Sequence, residues 1–199
     1  MKLKKPEIRY LFDLKKVLYD QKWLKNAPNL PVYFMYRGIK RKNGLRYDIT
    51  VMPPQKLGQE FVKTLGHEHI NNYGELYLVL KGEAIYLIQR TEKNKKNKIV
   101  IKDIYAVKAK KGQAVIIPPG YGHITINPSN QELKMANWVA EKCQNSYQIF
   151  KQMHGGGYFY TEKGWLKNKN YAMVPKLKFK KPLKQTPHNL DFLLYAPKS

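Results

Sequence analysis

The sequence predicts an all-β protein, a sandwich or closed barrel, and three observations carry that prediction. Strand-length runs rich in β-branched and aromatic residues recur along the chain, Gly, Pro and Asn punctuate them, and no long helical period lies between them. The runs are PVYFMYRG, LRYDITVMP, QEFVKTLG, ELYLVLKG, AIYLIQR, KIVIKDIYAV, QAVIIPPG, HITINP and KMANWVA. Ahead of them, Ile8, Leu11, Leu14, Val17 and Leu18 fall close to a 3.6-residue period, which predicts a short amino-terminal helix. Behind them, segment 143–157 reads as a loop or an irregular helix. The tail after Trp165 is rich in Lys and Pro, with VPKLKF and DFLLYAP as candidate edge strands or covers for the barrel. No internal repeat or linker divides the chain, so its 199 residues are expected to form one domain with a core over about 45–165.

Composition narrows the function classes. The single cysteine, Cys143, excludes an intramolecular disulfide and a cysteine-based zinc cluster, and it suits a reducing cytoplasm. MKLKKPEIRYLFDLKK carries charges where a signal peptide needs an apolar core, and no run approaches the ~20 apolar residues of a membrane span. A cytoplasmic protein without a membrane partner is therefore expected. The formal net charge of +23 raises nucleic acid as a partner, but only five of the 37 basic residues are arginine, the residue of bidentate phosphate and base contacts. The lysines are spread along the chain and gather in loops such as EKNKKNK (92–98). Such a pattern reads as a solvated surface rather than a nucleic-acid footprint, although it still helps draw in an anionic substrate.

Chemistry concentrates in two stretches. In GHEHINNYGELYLVLKG (66–82), His67 and His69 project from the same face of an extended strand, and Glu75 follows. Imidazoles with a carboxylate suit a divalent transition metal, yet a His-x-His alone reads equally well as a polar strand end. In GQAVIIPPGYGHITIN (112–127), a rigid Pro-Pro-Gly turn sets where the next strand begins, and so where His123 points.

Together these stretches resemble the paired motifs of the cupin superfamily: His67, His69, Glu75 and Gly82 in the first, Gly112, Pro118, Gly120, His123 and Asn127 in the second. The resemblance implies a cupin jelly-roll barrel (a double-stranded β-helix) with a short amino-terminal helical extension. It also implies that His67, His69, Glu75 and His123 hold one divalent transition metal per subunit. Iron(II) is the first expectation, with manganese, nickel and zinc compatible. DITVMPP, GQEFVKTLGHEH, ELYLVLKGEAIYLIQ, VIIPPGYGHITINPSN, MANWV and TEKGW carry a further similarity, to the cupin-type glucose-6-phosphate isomerases.

That similarity implies aldose–ketose isomerisation between glucose 6-phosphate and fructose 6-phosphate in glycolysis and gluconeogenesis, a sugar-phosphate substrate and a homodimer. It places Thr50, Thr64 and Gly66 at the phosphate, Tyr77 at the sugar and His154 in contact with the substrate. Glu75 is the expected catalytic base of an enediol route, with a hydride shift from C2 to C1 as the rival. A mannose 6-phosphate isomerase and a non-catalytic sugar-phosphate-binding cupin are the alternative functions.

Overall fold

The computed structural model describes residues 5–195. In chain order the strands are β1 (Glu7–Tyr10), β2 (Pro31–Lys42), β3 (Leu45–Met52), β4 (Lys56–Leu57), β5 (Glu60–Phe61), β6 (Glu68–Ile70), β7 (Glu75–Lys81) and β8 (Glu83–Lys93). They continue as β9 (Ile99–Lys110), β10 (Ala114–Ile117), β11 (Gly122–Ile126), β12 (Leu133–Ala140), β13 (Gln144–Ser146), β14 (Tyr158–Thr161), β15 (Gly164–Lys167) and β16 (Lys178–Lys180). One sheet has the order β1-β2-β3-β12-β7-β10 and another the order β11-β8-β9-β16, flanked by the pair β13-β6 and the small sheet β15-β14-β5-β4. The non-sequential neighbours β3-β12-β7 and β11-β8 are the long crossovers of a jelly roll, the expected cupin architecture.

Period-2 alternation explains which side chains meet inside. On β3, Arg46, Asp48 and Thr50 share one face; their cross-strand partners on β12 are Val139, Asn137 and Met135. The next strand, β7, sets Glu75 opposite Val139, Tyr77 opposite Asn137 and Val79 opposite Met135. The other β7 face is apolar too: buried Leu76 packs in a cluster with Leu45, Ala114 and Leu193. A central strand covered on both sides reads as a continuous apolar run, which is why ELYLVLKG alternates so weakly. Leu193 comes from the tail, in a short 3-10 helix Asp191–Leu193, and its full burial contributes about 2 kcal/mol. Thus the described part of DFLLYAP covers the outside of the barrel through Leu193, its last two residues lying outside the described residues, while VPKLKF supplies β16, which pairs in parallel with β9.

The amino terminus carries the expected short helical extension, except that Ile8 lies in β1 opposite Phe34. Leu11–Val17 forms a 3-10 helix that buries Leu11, Leu14 and Val17, and the one-turn helix α1 (Gln21–Leu24) follows. A tight helix of three residues per turn also stacks i, i+3 and i+6 on one face, so this apolar spacing fits it as well as an α-helix. Segment 143–157 is not structureless either. It holds β13 and the short helix α2 (Gln148–Gln152), whose Phe150 is fully buried.

Candidate active site

Three strands bring the two sequence stretches together. Glu75 opens β7, His123 lies on β11 in the facing sheet, and His69 sits on β6. His67, just ahead of β6, exchanges backbone hydrogen bonds with His123: its N–H donates to the His123 carbonyl at 3.2 Å and its carbonyl accepts from the His123 N–H at 2.9 Å. The Pro118–Tyr121 turn fixes this register, with the Tyr121 N–H donating to the Pro118 carbonyl and Gly120 in the left-handed region at φ +75°. Buried Asn127 closes the same strand, its amide donating to the Met52 and Gln131 carbonyls. The second motif's asparagine thus holds the strand rather than touching the site.

The Nε2 atoms of the three imidazoles converge on one oxygen, Glu75 Oε2, at 3.9 Å for His67, 3.2 Å for His69 and 3.2 Å for His123. The four candidate ligand atoms all lie within 4.8 Å of one another. Glu75 Oε2 and His69 Nε2 are buried and have no hydrogen-bond partner among the described residues. His69 Nδ1 lies 2.7 Å from the Tyr73 carbonyl, which can only accept, so Nδ1 carries the proton. His69 Nε2 is thus the nitrogen that faces the Glu75 carboxylate oxygen, an arrangement that calls for positive charge there, as a proton on Nε2 or as a cation between them.

The electrostatics carry the same message. Burial opposes a charged His69, but Cys143 and Glu75 outweigh it and raise the imidazole to about 10. Burial likewise opposes ionisation of Glu75, yet His123 and His69 hold its carboxyl well below the usual carboxylate range. Burial pushes His67 and His123 down, which leaves both neutral with lone pairs to offer. Three imidazoles and one carboxylate, buried and short of positive charge, fit a divalent metal ion.

The pocket beside this group is lined by Thr50, Thr64, Gly66 and Tyr77, four of the five residues expected at a substrate. The Tyr77 hydroxyl lies 3.0 Å from His123 Nε2, at the edge of the metal-ligand group. Thr64 Oγ1 accepts from the Thr125 N–H at 3.0 Å and so helps join this loop to β11. Gly66 adopts φ +87°, and a Cβ there would stand 2.7 Å from both Ile124 and Phe150, so this position requires glycine. The fifth residue, His154, is not brought to this pocket. It is exposed, lies 3.2 Å from the Lys16 carbonyl through Nδ1, and lines a separate groove with Leu18, Tyr19 and Phe159.

Residues that sequence reasoning passed over complete the wall. Asn145 and Tyr147, in and just after β13, line the pocket from the segment that had no legible pattern. Asn137 donates to Glu75 Oε1 at 2.7 Å and is the polar residue among the inward side chains of MANWV. Arg37, Asp48 and Arg46 stand on the neighbouring strands. The signal available for the arginines was their scarcity: two of five line one pocket.

Curated relatives include the glucose-6-phosphate isomerase of Pyrococcus furiosus, 30% identical over 129 residues, and that of Thermococcus onnurineus, 29% identical over 129 residues. Each match covers 62% of this chain and 64% of the relative, so the chain spans a little under two thirds of the curated relatives' length. Among solved structures, an oxalate oxidase in complex with the substrate analogue glycolate is 18% identical with a TM-score of 0.42, covering 55% of this chain and 49% of that chain. The model of the family described as glucose-6-phosphate isomerase (GPI) matches residues 13–176, which takes in every metal-ligand candidate and the strands that carry them. By that match the chain belongs to the glucose-6-phosphate isomerase family.

Proposed function

We propose that the protein interconverts glucose 6-phosphate and fructose 6-phosphate, with one divalent metal held by His67, His69, Glu75 and His123. The observation that carries this reading is the convergence of three Nε2 atoms on Glu75 Oε2 beside a pocket lined by Thr50, Thr64, Gly66 and Tyr77. A bound divalent ion supplies Lewis acidity toward the oxygens at C1 and C2 of the open-chain sugar. Iron(II) is the metal we propose first, ahead of manganese, nickel and zinc.

The chain's own groups bind, orient and move a proton. Thr50 and Thr64 offer hydroxyl donors and Gly66 a close-approaching backbone to the phosphate. Tyr77, whose phenol burial and the neighbouring Glu75 keep protonated, is a hydrogen-bond donor beside the sugar. Glu75 is our candidate base because the pocket's other carboxylate, Asp48, is paired with arginines. Asn137 holds Oε1, which leaves Oε2 as the oxygen aimed inward. Running the reaction in deuterated water separates the two routes. Deuterium in the product at low conversion supports the enediol route, and its absence supports the hydride shift.

The decisive assay supplies fructose 6-phosphate and identifies the product. Glucose 6-phosphate supports the proposal, mannose 6-phosphate transfers the chain to the sister activity, and binding without turnover makes it a sugar-phosphate-binding protein. A homodimer in a reducing cytoplasm belongs to the same proposal, and sedimentation of the purified protein tests the stoichiometry. Among the described residues no helix is long and apolar enough to cross a membrane.

A further inference from the structure

We propose that Arg37 and Arg46, held against the buried carboxylate of Asp48, form the charged receptor for the phosphate end of the substrate and set the preference for phosphorylated over unphosphorylated sugar. This inference rests on the sugar-phosphate reading above and extends it to residues that neither the motifs nor the family resemblance pointed to.

Threonine hydroxyls and a backbone N–H are neutral donors, and a phosphate dianion leaving water needs positive charge as well. Lysine makes up most of the chain's 37 basic residues, yet among the described residues none lines this pocket, whose Lys or Arg side chains are Arg37 and Arg46. The guanidinium fork is also the group whose geometry matches phosphate oxygens.

The way the pair is held also leaves charge free for a ligand. Asp48 has a side chain only 4% exposed, a burial that a carboxylate tolerates only when compensated. Arg46 Nε lies 2.9 Å and 3.1 Å from its two oxygens, Arg37 Nη1 lies 3.5 Å from Oδ2, and the Gly38 N–H donates to Oδ1 at 2.7 Å. Arg46 spends only Nε on this contact. Among the described residues its two terminal nitrogens have no acceptor, so they remain free for a ligand. One carboxylate against two guanidiniums leaves this wall net positive. The other partner, Glu7, bonds Arg37 Nε at 3.2 Å from a side chain 57% exposed, where solvent screens it.

Arg46 is in register with Val139, and Val139 with Glu75, so Arg46 and Glu75 stand two strands apart on one inner face. Two strand spacings are about 10 Å, on the scale of an open six-carbon chain between its reacting end and its phosphate. Asp48 acts through the arginines as a positioning residue.

The test uses metal-loaded protein and calorimetric titration with fructose 6-phosphate, inorganic phosphate and fructose, alongside steady-state kinetics. Arg46→Gln and Arg37→Gln are expected to weaken fructose 6-phosphate and inorganic phosphate at least tenfold, raising KM while kcat moves less than threefold. The response to fructose should not change, and Arg46→Lys should recover part of the loss. Because Arg46→Gln strands the Asp48 carboxylate, the charge-balanced double variant R46Q/D48N is measured too, with melting temperature as the folding control; it is expected to show the same tenfold loss. Affinities for both phosphates within twofold of the parent in the folded variants would overturn the receptor. If the parent protein binds phosphate through these arginines but isomerises nothing, the isomerase reading fails and the receptor stands. If the parent isomerises and the variants match it, the receptor alone fails.

Discussion

His69 Nε2 lies 3.2 Å from Glu75 Oε2 while His69 Nδ1 is engaged by the Tyr73 carbonyl at 2.7 Å. The backbone of one loop therefore fixes which nitrogen of His69 is offered to the site. His69→Ala removes that ligand and leaves Glu75 buried with less compensation. Bound-metal content measured on dialysed protein is expected to fall at least tenfold, with an unchanged circular dichroism spectrum showing that the barrel survives.

Asn137 bonds the opposite oxygen of the same carboxylate. Outer partners of metal ligands typically contribute 10–100-fold to metal affinity or activity, so Asn137→Ala should lower metal affinity by roughly that factor. A titration with a chelating indicator checks this. An unaltered affinity would show that Glu75 is held by the imidazoles alone.

Gly66 is fixed by both conformation and space, with φ +87° and two side chains where a Cβ would stand. Gly66→Ala is expected to cost about 2 kcal/mol or more, which lowers the melting temperature by about 4–8 °C for a domain of this size. Differential scanning calorimetry provides the measurement. The same substitution should weaken phosphate binding, because the clash displaces the backbone next to His67.

His154 was expected at the substrate and instead lines another groove. His154→Ala should leave KM and kcat within twofold of the parent. Tyr147, which lines the pocket, should behave oppositely, with Tyr147→Ala raising KM severalfold in the same assay.

These contrasts show what the sequence could and could not carry. The metal-ligand candidates were legible because period-2 spacing places His67 and His69 on one face, and a rigid turn starts the strand of His123. Arg37 was not, because the β2–β3 register is irregular between Tyr36 and Lys40, around it, whereas Arg46 shares the period-2 face of Thr50 and lacked only a motif to mark it. No periodic count predicts the outcome of such a bulge. Asn145 and Tyr147 escaped because β13 is three residues long and exists only by pairing with β6. His154 was placed at the substrate by the family similarity alone, which does not determine where its loop lies in this chain. The tail is intermediate: apolar DFLLYAP signalled a cover, but only tertiary packing identifies Leu76 and Leu45 as what Leu193 covers.

The central claim is that His67, His69, Glu75 and His123 together hold a metal that isomerisation requires. Its most direct measurement follows fructose 6-phosphate conversion in the parent protein, in chelated protein, and in chelated protein restored with single divalent metals, beside His123→Ala. The account predicts loss of activity on chelation, recovery with at least one metal in the parent and no recovery in His123→Ala. Conversion that survives both chelation and the His123 substitution would contradict it.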